Sequence, residues 1–499
     1  MIKTVSHNVR NMTIASVGQK ICAFVYFTIL ARYLGPEDVG KYVFTLSFAA
    51  IFVILIDLGL TSVLIREGAR HKERLQKYIS TIVYVKVPLG VLAYILMLCS
   101  VVFLGYSRQV VAMVGVAGIT MFFDSLHMTF FGALRAHGDL RYEAYGMVGS
   151  QLVTVILGLL CVWFKLPLIY LVGVFTISSF LNVLFALVVV QRILHLSFVP
   201  RFDKATFVQV KKIAIPFAVA ACAARVYSYI DSIILSKLAG DIAVGIYAIP
   251  YKITFAFQFI PLALIASLYP MFSKLFQENK EALAKHFAHA VQYLAIIVFP
   301  LAFGLGVLAE EVIVGLYTMQ YYDSIIPLRI LLVSLIFSFL GFPVGALLNA
   351  CNRQATQTRI VLWVMVVNIV LNLVFITHFG AIAAASAALI GNVLLTCVGY
   401  GVVRHIITIK QKIFFMMLGK IMLVAGVMGV VVWCMHEPST QLASAVFGGY
   451  WGDSLVVGVA MLLRIVFGGI LYVLGLMSLR VITKKEWQLA LRTIRGKGI

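Results

Sequence analysis

The chain has 499 residues, of which 62% are hydrophobic and only 12% are charged. A soluble domain is about half apolar and about a quarter charged, so this composition excludes a water-soluble protein. Lys and Arg outnumber Asp and Glu by 40 to 19. In a soluble protein that excess would indicate a nucleic-acid partner, but in a membrane protein basic cytoplasmic loops account for it, and we expect no nucleic acid.

Apolar runs close to twenty residues long follow one another along the chain, which is the length that a helix needs to cross a bilayer. They lie at about 12–34, 39–65, 78–104, 108–134, 146–166, 167–192, 213–238, 244–273, 288–309, 325–351, 359–378, 380–404, 413–435 and 454–482. The runs predict an all-α integral membrane protein with about fourteen transmembrane helices.

The first and seventh helices are similar when the chain is shifted by about 205 residues. Matching positions are Lys20 and Arg225, Ile29-Leu30 and Ile234-Leu235, Gly35 and Gly240, Val39-Gly40 and Val244-Gly245, and Tyr42 and Tyr247. Parallel repeats of this kind are a transporter architecture with the substrate site between the halves. We therefore predict two six-helix lobes around a central cavity, 1–205 and 206–411, followed by a helix pair and a basic tail over 412–499.

Most Lys and Arg residues outside the helices fall in loops on one side of this arrangement, with the amino terminus among them. Cytoplasmic loops of membrane proteins collect Lys and Arg. Because the number of predicted helices is even, we expect both termini in the cytoplasm.

Charged residues also occur inside the helices, where each costs at least ~2.5–3.5 kcal/mol near the bilayer centre and therefore usually faces protein or a wet cavity. The basic ones are Lys20, Lys86, Arg225, Lys252, Arg329, Lys420 and Arg464, and the comparably deep acidic ones are Asp57, Asp124 and Asp231. The excess of cations predicts an electropositive interior.

Arg225 has the strongest case for a cavity position. With Ser228, Tyr229, Ser232 and Ser236 it forms a polar stripe at helical spacing, and Arg keeps its proton and binds phosphate in a bidentate manner. Lys20, its repeat equivalent, is a second candidate, although a lysine this close to a helix end can also extend to the headgroups.

The other basic residues are weaker candidates. Lys252 is deep enough for a phosphate contact, whereas Arg329 fits a contact or an interfacial anchor equally well. Lys86 and Lys420 are expected to extend toward the headgroups, and Arg464 fits a lipid-tail groove or an ion pair. The predicted substrate-binding residues are Arg225, Lys20, Lys252, Arg329, Ser228 and Ser232.

Asp57, Asp124 and Asp231 fit proton or sodium coupling, since intramembrane carboxylates often relay ions, or simple neutralisation of a basic neighbour. Asn368 and Asn372 are expected to form hydrogen bonds between helices. No P-loop, HExxH or GxSxG motif is present, so we expect no catalytic residues, no metal site and no cofactor beyond a coupling ion or the membrane potential.

Four segments carry a family resemblance. They are LARYLGPEDVGKYVF (Leu30–Phe44), DLGL (Asp57–Leu60), RAHGDLRYEAY (Arg135–Tyr145) and YIDSIILSKLAGDIAVGIY (Tyr229–Tyr247). These segments resemble the polysaccharide-transport branch, with its O-antigen (Wzx-type) flippases, of the multidrug/oligosaccharidyl-lipid/polysaccharide (MOP) exporter superfamily.

The resemblance implies a flippase of the bacterial inner membrane that is not an enzyme. It would move undecaprenyl-pyrophosphate-linked oligosaccharide from the cytoplasmic to the periplasmic leaflet by alternating access. Membrane lipids and a polysaccharide polymerase with its chain-length machinery are the other expected partners.

Three alternatives remain open. The first is a flippase for peptidoglycan lipid precursors. The second is a cation-coupled multidrug exporter of the same superfamily, which should carry acidic residues in its cavity. The third is a membrane glycan polymerase or ligase, which would need acid and base groups in an external loop.

Overall fold

The computed structural model describes residues 2–195, 201–440 and 453–481. Within these ranges the chain is almost entirely helical and contains no β-strand, which confirms the all-α prediction. The helices are α1 (Ile2–Asp57), α2 (Leu60–Arg70), α3 (Leu75–Phe103), α4 (Arg108–His137), α5 (Arg141–Trp163), α6 (Leu168–Leu194), α7 (Lys204–Ala256), α8 (Phe259–Glu278), α9 (Lys280–Val307), α10 (Ala309–Tyr317), α11 (Ile325–Ala350), α12 (Gln354–Val403), α13 (Gln411–Cys434) and α14 (Asp453–Ser478). The predicted basic tail beyond residue 481 lies outside the described residues.

Eleven helical segments in the described part of the chain are long and apolar enough to cross a membrane. Three of them contain a sharp kink, in α1 at Gly35, in α7 at Gly240 and in α12 at Gly380. Counting the two arms of each kinked helix separately gives fourteen apolar segments, in agreement with the prediction.

The kinks in α1 and α7 have nearly the same backbone geometry. Gly35 has φ 76° and ψ 173°, and Gly240 has φ 83° and ψ 176°. Glycine adopts such positive φ values without the steric cost that a Cβ atom would bring. Because the two glycines are equivalent positions of the internal repeat, the match in conformation supports that repeat.

Contacts divide the chain into two compact units. The first contains Met1–Phe259 and Val361–Ala384, and the second contains Ile260–Ile360 and Ala385–Ile499. The lobes predicted at 1–205 and 206–411 group helices by sequence similarity instead of by contact, so they stay a prediction.

Large apolar side chains are exposed on both units, as expected where lipid and not water surrounds the protein. Phe103 and Trp163, for example, are 92% and 81% exposed at the ends of α3 and α5, where aromatic residues commonly meet the membrane interface. Inside the first unit, α1 and α3–α6 pack around a closely packed core that includes Leu30, Phe44 and Met113. This core supports the polar cavities described next.

Candidate functional site

Arg225 lies on the first arm of α7 and is half-buried. It lines two polar cavities within the first unit. The smaller one, called the basic cavity here, has a volume of about 300 Å³ and its polar lining includes Tyr42, Ser47, Thr120, Asp124, Arg225, Tyr229 and Lys252. Two cations and one carboxylate therefore line the same space, so the basic cavity carries excess positive charge.

The larger cavity has a volume of about 470 Å³ and shares Asp124 and Arg225 with the basic cavity. Side-chain amides and hydroxyls are frequent in its wall, and we call it the amide cavity. Its polar lining includes Gln19, Thr61, Asp124, His127, Arg135, Glu143, Ser150, Gln151, Thr154, Ser178, Ser179, Asn182 and Arg225. These amides could not be recognised as cavity residues from the sequence, because isolated Gln and Asn residues in apolar helices have no spacing that distinguishes a cavity from helix packing.

Lys20 and Lys252 make reciprocal contacts between α1 and α7. The Lys20 ammonium lies 5.0 Å from the centre of the Phe255 ring, and the Lys252 ammonium lies 5.4 Å from the centre of the Phe27 ring. Cation–π contacts of this length are attractive. Lys252 also lines the basic cavity, whereas Lys20 is absent from the lining of both cavities.

The remaining predicted substrate-binding residues lie elsewhere. The exposed Ser228 donates to the carbonyl oxygen of Ala224 at 2.8 Å within its own helix. Ser232 is half-buried, and neither serine is among the lining residues of the two cavities. Arg329 belongs to the second unit, where its Nε donates to the carbonyl oxygen of Gly306 at 3.1 Å.

Asp57 forms a buried ion pair with Lys86. Lys86 is fully buried, and its ammonium donates to Oδ1 of Asp57 at 2.6 Å and to the hydroxyls of Thr61 and Ser125 at 3.0 and 3.1 Å. The expectation that Lys86 extends to the headgroups was wrong, because acceptors on α2 and α4 surround its ammonium inside the first unit. Asp57 therefore has the basic neighbour that the neutralising interpretation requires.

Asp231 has a different environment, with no basic partner among the described residues. It is 8% exposed, and its two carboxylate oxygens accept from the Asn372 amide at 2.7 Å and from the Tyr247 hydroxyl at 3.3 Å. The Asn372 contact confirms the predicted hydrogen bond between helices, and Asn372 also donates to Asn368 at 3.0 Å. A carboxylate held only by neutral donors keeps its capacity to attract a cation or a proton.

Asp124 faces both cavities and is also held by neighbouring side chains. Its Oδ1 accepts from the Ser179 hydroxyl at 2.5 Å and lies 3.2 Å from Nε2 of His127. The carboxylate supplies the negative charge that partly balances Arg225 in the wall.

The RAHGDLRYEAY segment forms the tight turn between α4 and α5. Arg135 forms a two-point ion pair with Glu143 across this turn, and both residues line the amide cavity. Hydrogen bonds from Arg141 hold the pKa of Asp139 below its usual value. The Asp139 contribution to stability is therefore present at neutral pH and is lost as the pH falls through the lowered pKa.

Of the two roles considered for Arg464, a lipid-tail groove or an ion pair, the structure shows the ion pair. It is 1% exposed in the second unit, where its Nη1 donates to Oε1 of Glu311 at 2.9 Å and its Nη2 lies 2.8 Å from Oε2 of the same carboxylate. Lys420 donates to the carbonyl oxygen of Leu479 at 3.3 Å.

The family described as "Polysaccharide biosynthesis protein" matches residues 5–276, which is more than half of the chain, and the MatE family matches residues 216–374. A membrane protein of Methanocaldococcus jannaschii, MJ1068, is 23% identical over 75% of this chain and 78% of its own length. The capsular polysaccharide biosynthesis protein CapF of Staphylococcus aureus is 20% identical over 76% of this chain and 94% of its own. The probable flippase AglR of Haloferax volcanii is 28% identical over 34% of this chain and 36% of its own.

Solved structures show the same fold. The inward closed conformation of the lipid II flippase MurJ has a TM-score of 0.75 at 16% identity and covers 93% of this chain and 97% of its own. An inward-facing MATE family transporter of the MOP superfamily has a TM-score of 0.65 at 19% identity, with 78% and 94% covered. The family match over residues 5–276 shows that the chain belongs to the polysaccharide biosynthesis protein family.

Proposed function

We propose that this protein is a flippase that moves undecaprenyl-pyrophosphate-linked oligosaccharide from the cytoplasmic to the periplasmic leaflet by alternating access. The observation that carries the proposal is the basic cavity, which Arg225 and Lys252 line together. The family match and the probable flippase of Haloferax volcanii support a role in glycan transport. In this proposal the protein lies in the bacterial cytoplasmic membrane with both termini in the cytoplasm.

A lipid-linked diphosphate cannot cross hydrocarbon unaided because its headgroup is anionic and its glycan is polar. A wet cavity with paired cations replaces the water around the phosphates with charge-assisted hydrogen bonds. Arg225 suits the first contact because its guanidinium stays charged and matches phosphate geometry. Lys252 adds a mobile point charge on the opposite helix arm, and the lipid tail stays in the membrane.

Lys20 and Arg329 take secondary roles in this proposal. Lys20 contacts Phe255 of α7 through its ammonium, so it is placed to hold the helix arm that carries Lys252. Arg329 lies in the second unit and is exposed, where it can meet the headgroup at another stage of transport. Ser228 and Ser232 add hydroxyls on the helix that carries Arg225.

The same observation weighs against a multidrug cation exporter. A cation substrate would need a surplus of carboxylates, whereas Asp124 is the one acidic side chain among the described residues that line the basic cavity, beside two cations. A flippase for peptidoglycan lipid precursors is the closer alternative, since its substrate also carries a diphosphate. Rescue of a strain that lacks its peptidoglycan-precursor flippase distinguishes the two lipid-linked substrates.

The test is replacement of Arg225 and Lys20 by alanine in cells that display the glycan. We expect R225A and K20A to abolish surface glycan while the protein stays inserted in the membrane, because the diphosphate loses its contact or the helix arm loses its support. Arg108, an exposed arginine at the start of α4 that lines neither cavity, provides the matched control R108A, which should display normal glycan.

Glycan display is measured with a lectin or antiserum on intact cells, and protein levels by immunoblotting of membranes. Normal display in both R225A and K20A would refute the role of the basic cavity. Rescue of a strain that lacks its peptidoglycan-precursor flippase, without any effect on surface glycan, would support the alternative substrate.

A further inference from the structure

Apart from Arg225 and Asp124, which it shares with the basic cavity, the wall of the amide cavity has no role in the proposed function. We propose that it is a saccharide subsite, which holds the neutral sugar ring attached directly to the diphosphate. This inference rests on the proposed function and deepens it, because it states which part of the substrate lies where.

Three side-chain amides of the cavity wall make no hydrogen bond within the described part of the chain. Asn182 is 7% exposed, and its side-chain amide makes no hydrogen bond to any described residue. The side-chain amides of Gln19 and Gln151 also line the cavity and make no hydrogen bond within the described part of the chain.

This set of groups matches sugar hydroxyls. A side-chain amide offers two donors and one acceptor, and a sugar hydroxyl both donates and accepts. The cavity thus provides both donors and acceptors for such hydrogen bonds. They lie on three different helices, with Gln19 on α1, Gln151 on α5 and Asn182 on α6. A lipid tail would leave the same amides unsatisfied, which disfavours an apolar occupant.

The charges of the amide cavity indicate a neutral ligand. Its two arginines face two carboxylates, and Arg135 and Glu143 are already paired with each other. The basic cavity, in contrast, has two cations against the single carboxylate of Asp124. The anionic part of the substrate is therefore expected in the basic cavity and an uncharged part in the amide cavity.

The two cavities adjoin at Arg225 and Asp124, which belong to both walls. A ligand that extends from one to the other passes the Arg225 guanidinium, as a sugar bonded to a diphosphate would. The amide cavity has about 470 Å³, toward the lower end of the range for small-ligand pockets. It can hold the first sugar or two, and not a whole oligosaccharide.

The experiment measures binding to the purified full-length chain in lipid nanodiscs by calorimetry. The probes are geranyl diphosphate and the same compound bonded to glucose, to galactose or to N-acetylglucosamine. We expect at least one sugar-bearing probe to bind roughly tenfold or more tightly than the bare diphosphate. In Q151L and N182L the increase in affinity that the sugar brings should fall to about twofold or less, because an apolar side chain of similar size cannot hydrogen-bond to the sugar.

Two controls keep the result interpretable. Gln109 is an exposed residue of α4 outside the cavity wall, and Q109L should keep the full gain. Q19L repeats the test on another helix in case N182L, at a buried position, fails to fold. Each variant is accepted only if it elutes as a single species and melts cooperatively.

The outcomes separate this inference from the proposed function. If none of the three sugars improves binding to the wild type, or if Q151L and Q19L lose affinity for the bare diphosphate to the same extent as for the sugar-bearing probe, the saccharide subsite is wrong. If the wild type does not bind geranyl diphosphate, or binds it equally well in R225A, the proposed function fails. Selective loss of the sugar-dependent gain in Q151L and Q19L supports the subsite.

Discussion

Asp57 and Lys86 are coupled so closely that neither can be interpreted alone. Asp57 ends α1, Lys86 lies on α3, and Thr61 at the start of α2 also donates to the Asp57 carboxylate. Taking two charges out of water is costly, and the pair is tolerated because each charge has the other as its partner. The function of Asp57 in this arrangement is to compensate a buried ammonium.

We expect D57N to destabilise the protein by about 3–5 kcal/mol, because it leaves the Lys86 charge buried and uncompensated. The double variant D57N/K86Q removes that charge as well and should recover most of the loss. The measurement is thermal unfolding of the purified protein, with transport assayed beside it. Transport by a stable D57N/K86Q protein would exclude Asp57 as a coupling residue, and an unchanged melting temperature in D57N would contradict the structural role.

Individual residues were partly predictable from the sequence. The position of Arg225 in a polar cavity and the interhelical contact of Asn372 follow from polar stripes on apolar helices, since such side chains rarely face lipid. The partners of Lys86 did not follow, because Asp57 and Ser125 belong to other helices and no local spacing links them.

At the scale of the elements, the kinked helices α1 and α7 pack against each other symmetrically. A Cβ atom added to Gly40 would overlap the backbone carbonyl of Asp241, and one added to Gly245 would overlap that of Pro36. Gly40 and Gly245 are equivalent in the internal repeat, and so are Pro36 and Asp241. The helix arms after the two kinks therefore pack backbone to backbone, and only glycine permits this distance.

We expect G40A and G245A to push these arms apart, because the overlapping atom is backbone and cannot rotate away. Spin labels at Glu37 and Ile242, which are exposed on the two helices, should report a longer distance in each variant by pulsed electron paramagnetic resonance. Glycan transport should fall as the close contact is lost. Gly18, on α1 with nothing within 4 Å of an added Cβ, provides the control G18A. A distance in G40A equal to that of the wild type would contradict this packing.

The repeat was visible in the sequence as matching glycines, and the structure shows what they do. Gly35 and Gly240 supply the positive φ of the kinks, whereas Gly40 and Gly245 supply the close approach. The spacing of the glycines in the sequence could not distinguish the kink from the close contact, because each pair of glycines occupies equivalent positions of the repeat.

At the scale of the whole molecule, the proposed outward transport requires a source of energy. An inside-negative membrane potential favours outward movement of an anion by ~2.3 kcal/mol per charge per 100 mV. Asp231 offers a second source of energy, because its buried carboxylate accepts hydrogen bonds only from neutral donors in the described residues. Exchange of a proton or a sodium ion at this carboxylate would couple transport to an ion gradient.

We expect an imposed potential alone to drive some transport of a diphosphate-linked sugar in proteoliposomes, and a proton or sodium gradient to increase it. D231N should keep the potential-driven part and lose the gradient-dependent increase, because the carboxylate that attracts the ion is gone. The exposed Asp323 provides the control D323N, which should respond to both. A gradient response in D231N as large as that of the wild type would remove Asp231 from the mechanism.

The sequence by itself determined that this protein is an all-α membrane protein with about fourteen apolar segments and a repeat of about 205 residues. These properties depend on composition and periodicity along the chain, which the bilayer imposes on each helix separately. Only the tertiary structure decided which charges neutralise one another, as Asp57 and Lys86 do, and which line a shared cavity, as Arg225 and Lys252 do. The physical reason is that an ion pair or a cavity wall joins side chains from different helices, and the strength of each contact depends on distance and burial in space.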